Sequence, residues 1–217
     1  MRPADGELFT LDLGTRTGFA HGAPGSFPRS GSVLLKEKGE VRGVAFGNLI
    51  SWLQSRFSES KPRLVLKERQ LPMPATKKLK GAFGDRSVMS GLHAIVEGMC
   101  NRFGVPFVDV HDATARKAVV GIGRAGTRER TKEHVIQAVQ LRGLMPLNSR
   151  DDNRADALVL FEYGAALIKG RGSWDEARAL LTSGSTHRRT RSKSARLKPT
   201  RTRARWTARK SSALPML

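Results

Sequence analysis

Leu8-Phe9-Thr10-Leu11-Asp12-Leu13 (LFTLDL) is an apolar, β-prone run that ends at Gly14, and Gly18-Phe19-Ala20 follow it after a short polar interval. The segment reads as a strand, a tight turn and a second strand. Asp12 sits inside the apolar pattern, where a charge is costly unless it is paired or coordinates a metal. A front strand that carries an acid at its end is the feature around which the rest of the chain is read.

Working outward, Ser32–Leu35 supplies a third strand and completes a meander. Val41–Phe57 places Val41, Val44, Leu49, Trp52, Leu53 and Phe57 at roughly helical spacing, and Pro62 separates this helix from the buried strand Leu64-Val65-Leu66. Leu71–Asp85 (LPMPATKKLKGAFGD), with its prolines, glycines and lysines, suits an exposed loop. Ser87–Phe103 sets Leu92, Ile95, Val96, Met99 and Phe103 on one face, and Gly104 stops that helix. Val105–Val110 is the next strand. Helices follow at Ala113–Val120, Glu129–Leu141 and Asp152–Ile168, the last ending near Gly170. Strands first, then strand and helix in alternation, indicate a mixed α/β sheet covered on both faces.

Two further acids reach apolar edges as Asp12 does. Glu68 closes Leu64-Val65-Leu66-Lys67, and Asp156 enters a helix whose next residues are apolar, with Asp152 one turn earlier on the same face. Carboxylates converging from strands and a helix are hard oxygen ligands of the kind Mg²⁺ or Mn²⁺ prefer. Two such ions roughly 3.5–4 Å apart can activate water and stabilise the leaving oxygen in phosphodiester hydrolysis. The alternative is that these acids only cap and pair, which is the better reading for Asp151 at an exposed helix start.

Composition points to the partner. The chain has 217 residues, room for a real core, and 39 Lys and Arg against 19 Asp and Glu give a formal charge of +20, which calls for a polyanion. No apolar run approaches the length of a membrane span. The single cysteine, Cys100, excludes an intramolecular disulfide framework and reads as a small core residue. No secretory signal is recognisable at the start, so a cytoplasmic protein is expected. After Glu176 there is no further acid, while Arg178 and eleven Lys and Arg between Arg188 and Lys210 follow, interleaved with Ser and Thr. Two regimes result: a folded domain over 1–176, and a basic arm over 177–217 that cannot offset its ordering entropy and is expected to be disordered. Such an arm would bind phosphates through counterion release.

Two local patterns mislead. Gly121-Ile122-Gly123-Arg124-Ala125-Gly126 matches the dinucleotide fingerprint G-x-G-x-x-G, but it follows a helix instead of a strand and lacks the ribose-binding acid about 20 residues on. Asp12-Leu13-Gly14-Thr15 is similar to the first phosphate loop of actin-like ATPases, whose second lobe this chain has no room for. The five histidines are scattered without zinc-ligand spacing.

LDLGTRTGFA at Leu11–Ala20 resembles the first-strand motif of the RuvC-type Holliday junction resolvases, and the glutamate ending LVLKE resembles their second acid. Arg116–Ala125 (RKAVVGIGRA) is similar to the family's basic segment before a glycine turn, and NRADALVL to its closing signature. Order and spacing agree over roughly residues 7–168. The resemblance implies an RNase H-like fold, a mixed five-stranded sheet flanked by helices. It also implies catalytic, metal-binding acids at Asp12, Glu68 and Asp156 holding two Mg²⁺ ions, for which Mn²⁺ can substitute. Arg116, Lys117 and Lys132 fall where the family places cations near the scissile phosphate. The chain departs from the pattern three residues before Asp156, where the family has an acid or a histidine and this sequence has Asn153, with Asp152 four before. Both share a helix face with Asp156; Asp152 is preferred as the fourth ligand because a carboxylate binds Mg²⁺ more strongly than an amide.

The loop after Glu68 holds Lys77, Lys78, Lys80 and Phe83, suited to gripping a nucleic-acid backbone while an aromatic ring stacks on an unpaired base. By resemblance the protein is a homodimer, with the helix Ser87–Phe103 as its interface. It would be a Mg²⁺-dependent endonuclease that resolves Holliday junctions or related branched DNA by paired symmetric nicks, leaving a 5′-phosphate and a 3′-hydroxyl. A nucleoid-associated enzyme, bacterial or phage-encoded, is the matching expectation. Two rivals stand beside it: the small RuvC-like nuclease of ribosomal-RNA processing, against which the VVGIG segment argues, and a branched-DNA-binding protein impaired in catalysis.

Overall fold

Alternation along each strand decides which side of the sheet a side chain joins. In the computed structural model, which describes residues 6–70, 82–123, 125–171 and 174–186, strand β1 (Leu8–Asp12) sends Phe9 and Leu11 into one core and Leu8 into the other. Strands β2 (Arg16–Gly22) and β3 (Arg29–Leu34) extend antiparallel from one edge of β1. Strands β4 (Leu64–Glu68) and β5 (Phe107–Val110) add parallel to the other, giving the order β3-β2-β1-β4-β5. This is the mixed five-stranded sheet expected from the sequence.

One core packs helices α1 (Arg42–Glu59) and α2 (Ala82–Phe103) on the sheet through Leu49, Leu53, Leu92 and Val96. There the Phe9 ring meets Trp52 at 5.8 Å and Phe57 edge-on at 5.9 Å. The other core holds α3 (Asp112–Val120), α4 (Arg128–Leu141), α5 (Asp152–Arg171) and α6 (Trp174–Thr186). Helix α5 lies at its centre and is apolar nearly all round from Ala155 to Phe161, as a helix enclosed by neighbours must be. The Thr10 hydroxyl, buried in mid-sheet, donates to the Ala157 carbonyl at 2.8 Å and so ties β1 to α5.

Lys67 alternates onto the α2 side of β4 and is only 1% exposed. Its Nζ donates to Glu97 Oε1 at 2.9 Å, contacts its cross-strand partner Asp109, and lies 3.2 Å from His93 Nδ1. A buried ammonium requires such partners. They bind α2 to β4 immediately before Glu68.

Two boundaries differ from the sequence reading. Helix α2 begins at Ala82, so residues 82–85 are helical where the composition suggested a loop. Of the breakers in that stretch only Gly84 lies inside the helix, at a cost of about 1 kcal/mol that 22 residues of helix absorb. The expected boundary at 176 falls inside α6, which carries the folded unit to Thr186. The basic segment from His187 onward lies outside the described residues. Among the described residues, no helix is long and apolar enough to cross a membrane.

Candidate active site

Parallel pairing sets the first two acids side by side. The register runs Leu8↔Leu64 to Leu11↔Lys67, so Asp12 and Glu68 come next, at the carboxyl ends of adjacent strands and on the α5 side of the sheet. That is where ligands bind in open α/β sheets. Asp156 arrives from the second turn of α5, whose start is capped by Asp151: its Oδ1 accepts from the Arg154 amide at 3.0 Å. The Arg154 Nε donates to Ser30 Oγ at 3.0 Å, holding that end of α5 against β3. Asp12, Glu68 and Asp156 line a cleft of about 920 Å³ together with Gly14, Thr15, Asp112, Arg116, Arg128, Lys132, Asp152 and Asn153.

The acids crowd one another. Burial first, then the charges of Asp156, Glu68 and Asp112, push Asp12 well above the usual carboxylate range, and Asp12 shares a hydrogen bond with Glu68. Burial and Asp112 likewise raise Glu68, against the opposing pull of that hydrogen bond, Arg116 and Arg128. Asp156 is pushed up to about 7, by burial and then by Asp112, with Arg116 opposing. Perturbation of several clustered acids by desolvation and by each other marks a functional site.

Basic side chains answer part of this charge. Arg116 contacts Asp112, four residues before it, and its Nη1 lies 3.8 Å from Asp156 Oδ1. Lys132 contacts Asp152 across the cleft. Helix α4, which carries Lys132, is fixed by Thr127, whose hydroxyl accepts from the Arg130 amide at 3.3 Å.

The structure therefore brings together Asp12, Glu68, Asp152, Asp156, Arg116 and Lys132 of the residues singled out in the sequence. Lys117 is exposed, one position along α3 from Arg116, and does not line the cleft. Phe83 belongs to the first turn of α2 and not to a loop. Lys77, Lys78 and Lys80 lie outside the described residues. Two charged cleft residues went unnoticed in the sequence, Asp112 and Arg128. The first was legible in principle, because Asp112 immediately precedes the segment read as helical and stands four residues before Arg116.

A divalent cation fits the donor chemistry. Every acid offers hard oxygen, and Asp156 Oδ1 is buried without a hydrogen-bond partner. A cation here would also reverse the mutual repulsion that raises Asp12 and Asp156. The cage is not closed: among the described residues no three acidic, histidine or cysteine side chains are already gathered to hold one ion. Instead Asp12 pairs with Glu68, Asp112 with Arg116, and Asp152 with Lys132.

A five-stranded mixed sheet of this order, with helices on both faces and acids at the ends of its two central parallel strands, is an RNase H-like fold. Solved structures agree. The chain is similar to Thermus thermophilus RuvC with a TM-score of 0.53 and 20% identity, covering 76% of this chain and 95% of that one. It is similar to T. thermophilus RuvC in complex with a Holliday junction substrate with a TM-score of 0.55 and 17% identity, over the same shares of both chains. No protein-family model and no curated protein matches the sequence.

Proposed function

We propose that the protein is a Mg²⁺-dependent, structure-specific endonuclease that resolves Holliday junctions or related branched DNA. The observation that carries this reading is the convergence of Asp12, Glu68 and Asp156 in one cleft flanked by Arg116, Arg128 and Lys132, on a fold shared with a RuvC solved on a Holliday junction. Asp12, Glu68 and Asp156 would hold the cations, with Asp152 as the fourth ligand. Two such ions, when bound, supply a water activated for attack and a stabilised leaving oxygen.

The chain's own residues do the rest. Arg116, Arg128 and Lys132 set the scissile phosphate over the acids, since guanidinium and ammonium groups are natural phosphate partners. The acids, half-buried and mutually repelling, admit an anionic backbone only once their charge is answered. The expected products are a 5′-phosphate and a 3′-hydroxyl, with no protein nucleophile. A homodimer, with α2 at its interface, would present two clefts to a two-fold junction and so cut opposed strands symmetrically. The basic segments around Lys77, Lys78 and Lys80 and beyond Arg188 add phosphate contacts.

The pairing of Asp152 with Lys132 and the amide at Asn153 favour one rival, a branched-DNA-binding protein impaired in catalysis. A labelled four-way junction incubated with the protein and Mg²⁺, with a linear duplex as control, separates the two. Paired nicks in the junction alone, dependent on Mg²⁺, support the nuclease; junction binding without nicks at any divalent-ion concentration supports the rival.

A further inference from the structure

Asp112 opens α3 beside the acid cluster and has no role in the reaction as described. Its carboxylate contacts Arg116 one turn later, and both side chains are 19% exposed. The other arm of that guanidinium, Nη1, stands 3.8 Å from Asp156 Oδ1, beyond hydrogen-bonding distance. That oxygen is buried and makes no hydrogen bond. The guanidinium is thus shared unequally, held by one acid and kept short of the other.

We propose that Asp112 is a positioning residue that holds Arg116 off Asp156, leaving the Asp156 carboxylate free to receive a divalent cation. The proposal rests on reading the cleft as a metal-dependent site. Without the Asp112 charge, Asp156 becomes the acid within reach of Arg116, and a buried guanidinium–carboxylate pair is strong because its fork matches two oxygens at once. An arginine seated on Asp156 would compete with the cation for the same lone pairs. The opposite flank lacks this arrangement, because Lys132 rests directly on Asp152. The competing account is that Asp112 lends its own oxygen to the ion.

Binding of Mn²⁺ to the DNA-free protein, followed by the electron paramagnetic resonance signal of the unbound ion, distinguishes these accounts. The proteins are wild type, D112N, R116A, D112N/R116A and D12N. D112N should weaken Mn²⁺ binding by roughly tenfold or more, the scale at which groups that orient metal ligands act. R116A should bind at least as tightly as wild type, and the double variant should return to the R116A level. A double variant as weak as D112N would show that Asp112 acts directly, overturning the proposal. So would D112N indistinguishable from wild type, or R116A weaker than wild type, the latter also covering a D112N that fails to fold. If wild type binds no Mn²⁺, or D12N binds it equally well, the metal-dependent reading itself falls and takes the proposal with it. Loss of binding in D12N alongside normal D112N removes the proposal alone.

Discussion

Gly18 of β2 lies under the start of α5 so closely that a Cβ there would stand 1.9 Å from the carbonyl oxygen of Asn153 and 2.3 Å from its carbonyl carbon. Gly18 is also the register partner of Asp12. The absent side chain therefore lets the helix that delivers Asp152, Asn153 and Asp156 settle beside the acid of β1. In the sequence Gly18 reads only as the residue that leads from the turn into the second strand; its use is space, and the residue it makes room for is 135 positions away.

Gly18→Ala should accordingly be costly. No flexible tip can move aside, since the obstacle is backbone, and overpacking of this kind costs about 1–3 kcal/mol. In a domain of this size that corresponds to a fall in Tm of about 2–4 °C per kcal/mol. Cleavage should fall further than the lost stability explains when assayed at a temperature where circular dichroism shows the variant folded, because α5 must shift relative to Asp12. An unchanged Tm would mean that α5 is not seated on β2 as described.

Most of the architecture was legible because it rests on periodicity. LFTLDL and LVLKE alternate between two buried faces, and α1 and the body of α2 repeat their apolar residues at helical spacing. The three acids stood out as charges at apolar edges. Cross-element pairing was not legible, because it depends on which elements become neighbours. Nothing in LVLKE marks Lys67 as a buried lysine held by Glu97 and Asp109, and nothing near Lys132 marks Asp152 as its partner. Helix α6 escaped notice because its short apolar pattern runs into the basic segment.

Asp12→Asn should abolish cutting while leaving junction binding intact or stronger. The change removes a ligand and a negative charge facing the phosphates, and the neutral amide still fills the space beside Glu68. Nicking of a labelled four-way junction and gel-shift binding of the same junction in Ca²⁺ measure the two effects. Full cutting activity would remove Asp12 from the site.

The fourth ligand position is decided by two variants. Asp152 and Asn153 both line the cleft, and Asp152 is held by Lys132. Asp152→Asn should raise the Mg²⁺ concentration needed for half-maximal cutting, and Asn153→Ala should leave it near the wild-type value. The reverse pattern would assign the position to Asn153 and leave Asp152 as a partner for Lys132 only.

Stability should depend on pH through Asp156. Burial and the neighbouring acids push Asp156 up to about 7, above the ordinary aspartate value of 3.8, so the native state binds the proton more tightly than the unfolded chain does. The contribution is complete below about pH 4 and is lost as pH rises through about 7. In the absence of divalent ions, Tm should therefore decline between these limits. Added Mg²⁺ should reduce the decline, and Asp156→Asn should make it shallower with or without the ion, leaving the part due to Asp12 and Glu68. A metal-free Asp156→Asn protein with the wild-type pH slope would show that other groups govern it.

The last expectation concerns the eleven cations between Arg188 and Lys210. They cannot all reach one junction at once, but each phosphate contact that is made releases counterions and contributes about 0.9 to the slope of log affinity against log salt. Truncation should follow Thr186, where α6 ends. If three or four of these cations touch phosphates, the slope should shrink by roughly 3 to 4 on truncation. Preference for a junction over a duplex should survive, since phosphate contacts position a protein without reading structure, while matching the angle between junction arms falls, in the proposed reading, to the folded domain and its proposed dimer. Binding of full-length and truncated protein to both substrates across a salt series tests both points. An unchanged slope would make the segment a passive tail, and a selective loss of junction preference would mean that it reads branched structure itself.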